Sequence, residues 1–240
     1  MTMAITVHNA TKSFHNKLVL DKLSLEIPKG EIFGLLGPSG CGKTTLIKLI
    51  IGMLKRDEGD ITVLTYNIPD QRLLPNIGYM AQSDALYTDL TGEQNLDFFA
   101  RLYKLPKKER KARIQYVAGV VELEDVLQKR IAEYSGGMMR RLSLAIALIH
   151  DPEVLILDEP TVGIDPVLKR SIWRELERLK KEDGKTIVIT THVMDEAERC
   201  DQTALLRNGH IIAAGSPDKL KEKYEATRFE EVFLRAGGEH

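Results

Sequence analysis

The stretch Ile32-Phe33-Gly34-Leu35-Leu36-Gly37-Pro38-Ser39-Gly40-Cys41-Gly42-Lys43-Thr44-Thr45 decides the fold. Ile32 to Leu36 is an apolar run that follows the turn Pro28-Lys29-Gly30, and it reads as a buried strand. It feeds a glycine-rich loop, Gly37 to Gly42, and then a short helix from about Lys43 to Ile51. Gly37 to Thr44 satisfies G-x-x-x-x-G-K-[ST] in full. Glycines let successive backbone N–H groups curl around phosphate oxygens, Lys43 brings positive charge to the β- and γ-phosphates, and the Thr44 hydroxyl reaches Mg²⁺. The competing explanation is a chance glycine turn. At this chain's own residue frequencies a random match has a probability of about one per cent, and the strand and helix on either side lower it further.

Outward from the loop, the chain alternates between two kinds of pattern. Before it, Leu23, Leu25 and Ile27 alternate as in a half-buried strand, giving a β-rich entrance. After it come strands at Ile61 to Leu64 and Ile77 to Met80. From Thr91 to about His150 the period changes: Leu96, Phe99, Ala100 and Tyr103 fall at helical spacing, as do Ile114, Val117, Ala118 and Val121. Buried-strand runs return at Val154 to Leu157 and Thr186 to Thr190, with a helix between them that starts at the N-cap Asp165 and the N1 proline Pro166. Short apolar runs joined by helices argue for an α/β core with a parallel sheet covered on both faces, interrupted by a helical subdomain.

Composition narrows the partners. The 240 residues are 43% hydrophobic and 29% charged, which excludes a disordered or fibrous chain. A formal net charge of -1 removes the broad positive field that sequence-independent nucleic-acid binding needs, so no nucleic acid is expected as a partner. No apolar run approaches the roughly 20 residues of a membrane span, and Met1 to Asn9 carries no export signal, so a cytoplasmic location is expected. The basic cluster Lys104, Lys107, Lys108, Arg110, Lys111 and Arg113, broken by Glu109, reads as a solvated helix face.

Three further groups fit a nucleotide site. Asp158 and Glu159 stand where the strand Val154 to Leu157 ends, the edge at which open α/β sheets bind ligands. One carboxylate can hold the Mg²⁺ shell while the other positions or deprotonates the attacking water. His192 follows the strand Thr186 to Thr190 in the same way and could hydrogen-bond the γ-phosphate. Ser135-Gly136-Gly137 supplies an N-cap serine and two glycines at the positive end of a helix, a second anion-binding end.

From about Ile5 to Tyr224 the chain resembles the nucleotide-binding subunit of ATP-binding cassette (ABC) transporters. Gly37 to Thr45 resembles the Walker A loop, Gln82 the Q-loop glutamine, and Tyr134-Ser135-Gly136-Gly137-Met138 the signature. Val154 to Asp158 is similar to Walker B, followed by Glu159 as the catalytic glutamate. Val162-Gly163-Ile164-Asp165 is similar to the D-loop and His192 to the switch histidine. Phe14 matches the aromatic that stacks on adenine. The resemblance implies a P-loop NTPase (RecA-like) core with an N-terminal antiparallel β subdomain over 1–84 and 151–215, an inserted α-helical signature subdomain over 85–150, and a C-terminal helix and tail over 216–240. It implies ATP and Mg²⁺ as cofactors, with Thr44, Gln82 and Asp158 at the metal, and Phe14, Gly37, Pro38, Ser39, Gly40, Cys41, Gly42, Lys43, Thr44, Thr45, Ser135, Gly136, Gly137 and Asp165 at the nucleotide. Catalysis falls to Glu159, His192 and Gln82.

The partners implied are a second copy or a paralogous cassette, packed head to tail so that the signature of one caps ATP held by the other, and a polytopic membrane permease that keeps the chain peripheral on the inner face of the membrane. Tyr134 replaces the usual leucine, Met138 the glutamine and Gly163 the D-loop alanine. The run Tyr134 to Arg141 is similar to the daunorubicin-resistance type that serves ABC-2 exporters. A soluble cassette on an assembly scaffold, or an importer subunit, uses the same motifs. Cys41, inside the phosphate loop beside Lys43 and a helix N-terminus, is expected to be a reactive thiolate, and Cys200 a slower one.

Overall fold

The computed structural model describes residues 2–15, 17–83 and 85–238; the outermost residues of the 1–84 and 216–240 segments lie outside them. Two sheets share one core. The first is antiparallel, in the order β2 (Lys17–Pro28), β1 (Met3–Phe14), β4 (Glu58–Val63), β5 (Tyr66–Asn67). The second runs β10 (His210–Gly215), β9 (Gln202–Arg207), β3 (Ile32–Leu36), β8 (Thr186–Thr191), β7 (Val154–Asp158), β6 (Ile77–Met80). Its strands are parallel except β10, which returns antiparallel on the edge.

The apolar runs at β3, β7 and β8 reflect burial on both faces. Along β7, Val154 and Ile156 face the antiparallel sheet and α1 (Lys43–Ile50), in one cluster with Ile5, Ile27, Phe33 and Leu46. Leu155 and Leu157 face the other way, towards Leu142, Ala145 and Trp173. Every second residue therefore enters a different core, and no position on these strands is left for a polar face.

The helical third consists of α2 (Gly92–Leu102), α3 (Lys107–Val120) and α4 (Gly136–Leu148). Leu96, Ala100, Ile114, Val117 and Ala118 close a core against α4. Thr91 caps α2 through the Gln94 N–H while the Gln94 side chain caps back, a reciprocal capping box. α5 (Pro166–Asp183) begins as its sequence requires: the Asp165 carboxylate accepts from the N–H groups of Val167 and Leu168, and Gly184 ends it in the left-handed region.

Three elements do not show in the residue pattern, the strands β9 and β10 and the last helix. β9 and β10 form a hairpin whose alternation is blurred because β9 is buried on both faces. Beyond α6 (Met194–Ala197) and α7 (Pro217–Lys223), the last helix α8 (Phe229–Ala236) buries Phe229 and Val232 against Leu205 and Leu220. This helix is thus packed onto the sheet. Within the basic cluster, Arg110 pairs with Asp97 at 3.0 Å and Arg113 donates to the carbonyls of Leu148 and Ile149, while Lys107, Lys108 and Lys111 are exposed. Among the described residues no helix is long and apolar enough to cross a membrane.

Candidate functional site

Topology gathers the sequence motifs on one edge. At their carboxyl ends, β3 opens into Gly37–Thr45, its neighbour β8 into His192, β7 into Glu159 and β6 into Gln82. The register aligns Leu36 with Thr191, Thr190 with Asp158, and Leu157 with Met80. Residues spread over 155 positions of sequence therefore stand side by side, because parallel strands put all their C-terminal ends on the same edge.

The Asp158 carboxylate is buried and held at both oxygens: Thr44 Oγ1 donates to Oδ2 at 3.0 Å and Thr190 Oγ1 donates to Oδ1. Glu159 receives Gln82 Nε2 at 3.3 Å on Oε2, and His192 Nδ1 lies 3.0 Å from its Oε1. The three side chains read as catalytic are thus one hydrogen-bonded chain. Glu159 itself sits at φ +54°, a conformation that costs a non-glycine residue about 1 kcal/mol or more. Its N–H is anchored on Thr190, both at the carbonyl and at the hydroxyl.

Lys43 Nζ donates to the carbonyls of Gly37 at 2.7 Å and Pro38 at 3.1 Å. The ammonium is thereby kept at the mouth of the loop, held by bonds to neutral acceptors that an anion can replace. Val19, Ser39, Gly40, Gly42, Lys43, Thr44, Thr45, Gln82 and Glu159 line a cavity of about 300 Å³. Thr44 hydroxyl, Asp158 carboxylate and Gln82 amide are hard oxygen donors at this edge. That set suits Mg²⁺, which takes one or two protein oxygens and completes its shell with phosphate and water. Phe14, at the end of β1 where it pairs with Lys17, is 40% exposed and so is no core residue; Lys12 Nζ stands 5.4 Å from its ring centre.

Ser135 caps α4 by accepting from the Met138 N–H at 3.3 Å. Gly136 and Gly137 line a second cavity, about 330 Å³, with Gln82, Arg140, Glu159, Val162 and Gly163. Gln82 and Glu159 form the wall common to both cavities, and Ser135 to Gly137 do not line the one that holds Lys43. Asp165 uses its carboxylate on its own helix N-terminus.

Cys41 departs from expectation. Its thiol is buried, and burial pushes its pKa up, outweighing the lowering by Lys43 and by backbone N–H groups. Its sulfur points inward against Gly37. Desolvation of a thiolate in a packed site costs more than the loop dipoles return. Cys200 is buried too, its pKa raised by burial and by Glu196 and Asp201. Maleimide at neutral pH is therefore expected to label neither cysteine at the rate of a free thiol until the protein is denatured, with MgATP making no difference. Rapid, MgATP-protected labelling of Cys41 in a peptide mass map would contradict this.

Three residues escaped the sequence reading. Thr190 is a buried hydroxyl one residue before the end of β8, and Arg140 places a charge on the inward face of α4; polar residues at buried positions were the available signal. The third, Glu196, is buried and accepts from Thr191 at 2.6 Å and from Thr161, while Lys169 Nζ lies at 2.6 Å, tying the segments after β7 and β8 together.

Comparison with known proteins agrees with this geometry. The family model described as ABC transporter matches residues 20–162. Nod factor export ATP-binding protein I of Rhizobium meliloti (strain 1021) is 43% identical over 235 residues, covering 97% of this chain and 70% of that protein. ABC transporter G family member 23 of Dictyostelium discoideum is 42% identical over 240 residues, and there the chain spans only 34% of the relative's length. Among solved structures, the ATP binding subunit of an ABC transporter superposes with a TM-score of 0.90 at 27% identity, covering 98% of this chain and all of that one. An ATP-binding cassette dimer in a post-hydrolysis state bound to ADP and Pi gives 0.81 at 27% identity, over 88% of this chain and 98% of that one. A P-loop between β3 and α1, carboxylates at the end of β7 and a matching family model over more than half the chain make this an ATP-binding, ATP-hydrolysing domain that belongs to the ABC transporter family.

Proposed function

We propose that the chain is the ATPase subunit of an ABC-2 type exporter, hydrolysing ATP at the interface of a head-to-tail pair of cassettes and driving a separate polytopic permease on the inner face of the membrane. The observation that carries the paired arrangement is the separation of the two anion-binding ends. Gly136 and Gly137 open into a different cavity from Lys43, which supports an arrangement in which a second cassette brings its signature onto the phosphates. The export role rests on the relative named for Nod factor export and on the run Tyr134 to Arg141.

In this reading Phe14 stacks on the base, Gly37 to Gly42 wrap the phosphates with backbone N–H groups, and Lys43 exchanges its loop carbonyls for phosphate oxygens. Thr44, Asp158 and Gln82 would hold Mg²⁺, which supplies charge neutralisation between the phosphates when bound. Glu159 orients and deprotonates the attacking water. Gln82 and His192, already bonded to its carboxylate, fix the direction in which that carboxylate points.

Ser135→Arg tests the pairing. A bulky cation at a glycine-lined helix end is expected to abolish hydrolysis while leaving the ATP affinity of the monomer within about twofold, since Ser135 does not line the Lys43 cavity. Mixed with Lys43→Ala, it should recover part of the activity: in a head-to-tail heterodimer one composite site carries both lesions and the other neither. Loss of monomer affinity, or a mixture as inactive as its parents, would overturn the shared site.

A further inference from the structure

Arg140 lies on α4 a little more than one turn beyond Gly136, on the same helix whose N-terminus forms the signature. Its guanidinium is buried and reaches the ends of two neighbouring strands. One nitrogen donates to the carbonyls of Ala81 at 2.7 Å and Gln82 at 3.0 Å, just past β6. Another donates to Glu159 at 2.8 Å and to Asp158 at the end of β7.

This contact acts on the backbone of the residues that meet the water. Glu159 holds a left-handed φ of +54°, a conformation that persists only where its surroundings fix it from several sides. Thr190 fixes its N–H and Arg140 fixes its carbonyl. Gln82, whose side chain bonds the Glu159 carboxylate, has its own carbonyl on the same guanidinium. A planar fork with donors fixed in one plane sets the spacing of these carbonyls, which a flexible ammonium cannot do.

We propose that Arg140 is a positioning residue for hydrolysis: it links the signature helix to the Gln82 and Glu159 backbones of its own subunit. Engagement of the signature on the partner's ATP then adjusts the water-activating pair of the same chain, coupling the two composite sites. The coupling rests on the paired arrangement proposed above; the positioning role does not.

The adjacent Arg141 provides the control, because it donates to the carbonyls of Val121 and Glu122 at the end of α3. In the purified full chain, Arg140→Met is expected to lower kcat about 50-fold with KM for MgATP within threefold, whereas Arg141→Met keeps both within threefold. Arg140→Lys, which can satisfy only some of the carbonyls, should recover part of kcat. It also remains informative if Arg140→Met does not fold. A kcat within threefold of wild type in Arg140→Lys and in any folded Arg140→Met, or an equal loss in Arg141→Met, would overturn the proposal.

Mixing separates the two layers. Arg140→Met with Lys43→Ala should stay inactive, because the Arg140 lesion then sits in the one site with an intact phosphate loop. Recovery in that mixture would show that Arg140 acts through its signature on the partner's ATP, and would overturn the role assigned here. If Ser135→Arg with Lys43→Ala also fails to recover, the paired arrangement and the coupling fail, and the kcat against KM split alone decides the positioning role.

Discussion

Glu159→Gln is expected to bind ATP as the wild type does and to turn it over about a thousandfold more slowly. The substitution keeps the length of the side chain and its two hydrogen-bonding positions. The amide can rotate its oxygen towards Gln82 Nε2 and its nitrogen towards His192 Nδ1, so the chain of contacts at 3.3 and 3.0 Å survives. What disappears is the negative charge that orients water and takes its proton. Lys43, Thr44 and Asp158 are untouched, so the phosphate site should retain its affinity. The choice of glutamine also matters to the backbone, since Gln and Glu bear the same cost at φ +54° and the fold should be unaffected. With ATP bound and not cleaved, two cassettes should stay closed. Phosphate release, measured beside size exclusion with and without MgATP, reads both effects; turnover within tenfold of wild type would remove Glu159 from the role proposed for it.

What could be read from the sequence was whatever local physics fixes. The phosphate loop, the N-caps at Ser135 and Asp165 and the doubly buried strands β3, β7 and β8 follow from residue type and spacing within a few positions of one another. Asp158, Glu159 and His192 could be placed at strand ends, Gln82 came only from the family resemblance, and the parallel order of the sheet brings all four together. Long-range polar contacts were not legible. Nothing near Arg140 in sequence says that it will meet carbonyls 59 and 18 positions away, and Thr190 reveals its partner only once β7 and β8 are set in register. Cys41 failed for a related reason. The loop's positive environment is visible in the sequence, but the direction in which a short side chain turns is decided by packing against β9 and Gly37.

That packing gives Gly37→Ala a large expected effect on stability. From sequence, Gly37 is a residue that lets backbone approach phosphate. In the structure, a Cβ added there would lie 2.3 Å from the carbonyl oxygen of Leu206, in β9, and 2.6 Å from Cys41 Sγ. The sulfur could turn aside; the backbone carbonyl, held in a sheet, cannot do so without moving the strand. Such overpacking costs about 3 kcal/mol, which at this chain length lowers Tm by roughly 6 to 12 °C. The loss should appear without nucleotide present. Gly40 supplies the contrast: its φ of +77° strains any other residue, yet a Cβ there meets nothing within 4 Å. Gly40→Ala is therefore expected to cost only about 1 kcal/mol, while still placing a methyl group on a residue that lines the phosphate cavity. Thermal melting of the two variants in the absence of ATP separates a glycine required by the sheet from one required by the ligand. A Gly37→Ala protein that melts within 2 °C of wild type, about 1 kcal/mol or less, would mean that β9 yields more readily than its hydrogen-bonded position implies.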